Sequence, residues 1–146
     1  MYRRRLLAVL CVLPWLAAPA LAQRRNKSPA KPPKERVVVQ VSDGDPKRWN
    51  LALDTAKALQ GEFGADRIDV AIVAFGAGVN MLKDDSSVAN RIETAIERKI
   101  FLVACAASMK ALNVSDDSLP RAVYVVPSGA AELVRRQRAG WAVLRP

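Results

Sequence analysis

Hydrophobic positions along this chain follow two rhythms. Short β-branched runs alternate with stretches in which apolar residues recur every three or four positions. The run "RVVVQVS" predicts a first strand, ended by "DGDP". Asp45 and Pro46 then supply an N-cap and a first helical position. Trp49, Ala52, Leu53, Ala56, Leu59 and Phe63 predict an amphipathic helix that stops near Gly64. "RIDVAIVAFG" predicts a second strand, closed by a glycine-containing turn, "GAGVNMLK". Ser86 or Ser87 is the expected cap of a second helix with Val88, Ile92, Ala95 and Ile96 on its apolar face. That helix closes on Arg98 and Lys99, where cations suit the dipole. "IFLVAC" predicts a third strand. "SMKALNVSDDSLP" predicts a turn or two of helix and a loop broken at Pro120. "AVYVV" predicts a fourth strand, "PSGAAELVRRQRAG" a last helix capped by Ser128 and ended by Gly140, and "WAVLR" a closing strand.

Strands that alternate with helices imply a parallel α/β sheet covered on both faces. The nearly continuous apolar strands agree, because a strand buried on both sides needs no polar alternation. Ligands of such sheets bind outside the carboxyl ends of the strands. Four segments are expected at that edge: Ser42 to Asp45, Gly76 to Asn80, Cys105 to Ala107, and Pro127 to Gly129.

The amino-terminal residues change this picture. Arg3, Arg4 and Arg5 precede an apolar stretch from Leu6 to Leu16, and "APALAQ" then offers an A-x-A cleavage site before Gln23. Residues 1–22 are therefore expected to be a cleavable signal peptide, with the mature protein in a bacterial periplasm. An uncleaved anchor needs about 20 apolar residues; this run is shorter and carries Pro14 and Pro19. Residues 23–36, "QRRNKSPAKPPKER", lack an apolar period and are expected to be a flexible basic linker. The folded domain is expected over 37–146.

The net charge of +9 suggests nucleic acid until it is divided along the chain. The leader holds 3 basic residues and the linker 6, whereas 14 basic residues face 13 acidic ones from Val37 onward. A nearly neutral domain lacks the basic face expected of a nucleic-acid binder. No amphipathic helix accompanies the linker charges, so no membrane contact is expected beyond the leader.

Candidate chemistry is narrow. The absence of histidine excludes Ser-His-Asp and Cys-His catalysis and the common histidine-based zinc sites. "GAGVNM" lacks the third glycine of a dinucleotide fingerprint, and Asp43 and Asp45 would repel a phosphate beside the first strand. Asp84-Asp85 and Asp116-Asp117 suit helix starts better than cations. No metal site and no cofactor is expected. Loss of the leader removes Cys11 and leaves Cys105 as the one thiol, so no intramolecular disulfide can form. A cysteine in an apolar strand is ordinarily a small buried hydrophobe. Cys105 instead ends its strand, precedes small residues, and has Lys110 close enough in sequence to favour a thiolate, the reactive form.

The phrases "VVVQVSDGDPKRWNLALDTAKAL", "IDVAIVAFGAGVNML", "VANRIETAIERKIFLVACAASMKALNVS" and "YVVPSGAAELVRRQRAGWAVLRP" resemble DsrE/DsrF-like proteins, specifically exported single-domain ones. The resemblance spans about residues 36 to 146. It implies a three-layer α/β/α fold with a five-stranded parallel sheet, assembled with itself as trimers or hexamers. In sulfur-relay members a cysteine at the end of the third strand carries sulfur as a persulfide, and Cys105 matches that position. Those relays are cytoplasmic and take sulfur from dedicated donors, so an exported chain departs from their setting. One reading is thus a sulfur carrier or sulfurtransferase served by a donor or acceptor protein. Cys105 would be its acceptor, Asp43, Gly76, Asn80 and Ser128 would line the crevice, and Lys110 would support the charge. The alternative is a non-catalytic homo-oligomeric module that binds a small ligand or a protein.

Overall fold

The computed structural model describes residues 33–146. The leader expected at 1–22, and the linker as far as residue 32, lie outside the described residues. Five strands, β1 (Glu35–Val41), β2 (Ile68–Ala74), β3 (Phe101–Cys105), β4 (Val123–Val126) and β5 (Ala142–Leu144), pair in the order β4-β3-β2-β1-β5. Every pairing is parallel. β1 takes in Glu35 and Arg36, which the composition had suggested were linker. Their register partners are Ile68 and Asp69, and Lys34 reaches Asp69 at 2.9 Å.

Four helices connect the strands: α1 (Pro46–Phe63), α2 (Ala89–Glu97), α3 (Ala106–Ala111) and α4 (Gly129–Arg138). α1, α2 and α3 bury Trp49, Leu53, Ile92, Ala95 and Met109 against the face of the sheet that carries Val37, Val39, Ile72 and Leu102. α4 covers the other face, where Leu133 packs over Val38, Ala71, Val73 and Val103. The chain steps from β1 to β4 in one direction and then returns to β5 beyond β1. Right-handed crossovers put a returning helix on the opposite face, and this gives the three-layer α/β/α architecture.

Local chemistry fixes the helix ends. The Asp45 carboxylate accepts from the Lys47 N–H at 2.9 Å, with Pro46 opening α1. The inner face of α1 ends on Gln60, which is buried, while Phe63 is exposed. The reason is a bond across the layer: Gln60 Nε2 donates to the Arg98 carbonyl at 2.9 Å, satisfying an acceptor at the end of α2. Val88, rather than Ser86 or Ser87, is the N-cap of α2. Ser86 is used one turn earlier, its Oγ accepting from the Val88 N–H at 3.3 Å. The glycine-rich segment after β2 is a 3₁₀ stretch, Gly76–Leu82, that buries Val79, Met81 and Leu82.

Candidate functional site

β3 ends at Cys105, and the same residue is the N-cap of α3. Its backbone is extended (φ −88°, ψ 113°), so the chain turns into the helix immediately beyond the sulfur. Free amides of a first helical turn point back toward the cap. Those of Ala107 and Ser108 favour a charged sulfur at Cys105, although the neutral thiol makes no capping hydrogen bond to this turn. Cys105 is 4% exposed and packs with the larger core. Its Sγ lies 4.0 Å from the Pro127 carbonyl, a long contact for a neutral thiol.

The other strand ends close around this turn. The Ala107 N–H donates to the Pro127 carbonyl at 3.3 Å, joining α3 to the segment after β4. The Gly76 N–H donates to Ser108 Oγ at 2.7 Å, joining α3 to the segment after β2. Gly76 has φ +54°, a left-handed conformation that glycine adopts without strain. A Cβ on Gly78 would stand 2.4 Å from the Val41 carbonyl oxygen, so only glycine lets this segment rest on the end of β1. Ser128 caps α4, accepting from the Ala131 N–H at 3.3 Å.

Burial pushes the Cys105 thiol up. The Ser108 hydroxyl and the amides of Gly129, Ser108 and Ala107 outweigh it, so the thiol stands below its ordinary value. Hydrogen bonds to the charged form are the physical cause, because each stabilises the thiolate and not the thiol. Small or exposed residues, Gly76, Ala77, Ala107 and Pro127, border the turn. The arrangement suits a nucleophilic sulfur held in a cradle of neutral donors.

Residues 35–146 match the model of the DsrE/DsrF-like family. The chain belongs to that family. Among solved structures it is similar to protein MTH1491 of unknown function from Methanobacterium thermoautotrophicum. The two share 30% identity over 77% of this chain and 100% of that one, with a TM-score of 0.74. The ychN protein from E. coli shares the fold at 14% identity and a TM-score of 0.65, over 77% of this chain and 99% of that one. So does BT1422 from Bacteroides thetaiotaomicron, at 16% identity and a TM-score of 0.62, over 77% and 95%. No curated protein matches the chain.

Among the residues singled out in the sequence, Gly76 and Ser128 belong to the segments joined around Cys105. Asp43 is exposed beyond β1, where its carbonyl accepts from Trp49 Nε1 at 2.7 Å. Asn80 donates to the Ala77 carbonyl at 3.2 Å inside the 3₁₀ stretch. Lys110 lies exposed in the last turn of α3. It is not among the groups that lower the thiol, all of which are neutral. Ser108 and Gly129 do that work, and neither stood out in the sequence as an individual residue. The available signal for Ser108 was spacing: three residues past an N-cap, a side chain can reach back to the cap, as in a capping box.

Proposed function

We propose that this DsrE/DsrF-like protein is an exported sulfur carrier that takes a sulfane sulfur onto Cys105 as a persulfide. The observation that carries the reading is position. Cys105 ends β3 and opens α3 at the sheet edge where the segments after β2 and β4 are bonded to α3. Neighbouring hydroxyl and amide groups hold its thiol below the ordinary value. The Cys105 thiolate attacks the terminal sulfur of a persulfide donor. A new S–S bond forms to Cys105 as the donor's S–S bond breaks, and the electron pair of the broken bond leaves with the donor as its thiolate. The transferred sulfur keeps its proton and its oxidation level, so no separate oxidant is consumed. An acceptor thiolate reverses the step. The leader supports periplasmic delivery, with the mature chain starting at Gln23.

A second reading, a non-catalytic binding module, draws on the 4% exposure of Cys105, which suits an inert core thiol. Intact mass after incubation with a polysulfide separates the two. The carrier gains one sulfur atom on the folded wild type and none on Cys105→Ser. A folded wild type that gains no sulfur supports the binding module instead.

A further inference from the structure

Two bridges cross the groove between α1 and α2. At one end Arg91 of α2 donates to Asn50 and Asp54 of α1. At the other, Gln60 Nε2 of α1 donates to the carbonyl of Arg98, just past α2, at 2.9 Å. Between the bridges is a cavity of about 150 Å³. Its floor is Leu53, Ala95 and Ile100, each buried. Val88 and Ile92 stand two turns and one turn before Ala95 in the same core, and the small side chain at 95 leaves this space unfilled.

Three cations, Lys57, Arg91 and Arg98, line the same cavity, and no carboxylate does among the described residues. Asp54 offsets one of them, the Arg91 guanidinium. Lys57 and Arg98 are exposed, and among the described residues neither side chain is in an ion pair. The remaining polar lining group, the Thr94 hydroxyl, donates to the Asn90 carbonyl at 3.0 Å. An incoming polar group therefore meets cationic donors, which an anion satisfies best.

We propose that the α1–α2 cavity binds a small carboxylate whose apolar body is the size of one ring. The body lies on Leu53, Ala95 and Ile100, and the carboxylate accepts from Arg98 and Lys57 at the mouth. A cavity of about 150 Å³ takes one benzene-sized group, and a guanidinium fork matches a carboxylate in two parallel bonds. Inorganic phosphate matches the cations but leaves the apolar floor in water, so the hydrophobic contribution is lost. The site is separate from the sulfur chemistry and does not rest on it. Ile100 precedes β3 and Cys105 ends it, so the whole five-residue strand, roughly 16 Å, lies between them.

The test is isothermal titration calorimetry of the folded mature protein with sodium benzoate as the probe. Benzyl alcohol and inorganic phosphate are titrated at matched ionic strength. Benzoate is expected to bind saturably, once per chain, and each of the others at least tenfold more weakly. Lys57→Gln and Arg98→Gln alter exposed side chains, and each is expected to weaken benzoate about tenfold, the worth of one hydrogen bond to a charged group. Ala95→Leu, which fills the cavity, is expected to abolish binding, and Cys105→Ser to leave it unchanged. Phosphate binding as tightly as benzoate overturns the apolar body, and benzyl alcohol binding as tightly overturns the anion. Absence of saturable benzoate binding, or binding unchanged in both glutamine variants, overturns the site.

Discussion

Gly129 lies against Phe75 so closely that a Cβ at position 129 would stand 2.8 Å from Phe75 Cβ. Phe75 follows β2 and Gly129 opens α4, so the contact sets how near α4 comes to the sheet. The amide of Gly129 also favours the charged form of Cys105. Gly129→Ala is therefore expected to destabilise the fold by about 1–3 kcal/mol, the usual cost of overpacking a filled site. It is also expected to slow alkylation of Cys105 at neutral pH as the amide withdraws. Urea unfolding and an alkylation time course check both effects. An unchanged midpoint and rate would show that the contact relaxes freely.

Stability should depend on pH through the same thiol. Its folded value lies below the unfolded one, which is about 8.5. Above that pH both states carry the thiolate, and the favourable bonds to it count in full. As pH falls through the folded value the native chain takes up the proton and the contribution is lost. The stability advantage of wild type over Cys105→Ala, from urea midpoints, is expected to be largest above the unfolded value and to shrink as pH falls below it. An advantage that grows on acidification would show a thiol destabilised as an anion.

Assembly is expected to involve the β4 edge. Tyr124 is 60% exposed, Val125 44% and Phe101 39%, and Phe101 and Tyr124 line one cavity. Strands of a parallel sheet are ordinarily covered on both faces, and β4 leaves apolar surface open at an edge with unpaired backbone groups. A homotrimer or homohexamer is expected by light scattering at micromolar concentration, unchanged by reductant because Cys105 is buried. Tyr124→Lys is expected to shift it toward smaller species. A monomeric wild type would contradict this expectation, and a dimer seen only without reductant would point to a Cys105–Cys105 bridge.

The strands were legible because buried parallel strands must be apolar throughout, and Val37–Val39 and Val70–Ala74 are. The ends of α1 and the Ser128 cap were legible because they are local chemistry. What sequence hid were bonds between segments far apart in the chain. Gln60 looks like a surface residue until the Arg98 carbonyl meets it. The glycines at 76 and 78 suggest an open turn until the end of β1 packs on them. Cys105 could be located by its strand end, whereas Ser108 depends on an N–H 32 residues away. Lys110 suggested itself as a nearby charge, but the helix carries it to the far end of α3.

Whether Cys105 holds a sulfane sulfur in the folded protein is decided most directly by cyanolysis. Polysulfide-treated wild type, freed of excess donor and kept folded, is expected to release thiocyanate in a one-to-one ratio with Cys105, and Cys105→Ser none. Release of none from the folded wild type, with a thiol that reacts after denaturation, would contradict the carrier account.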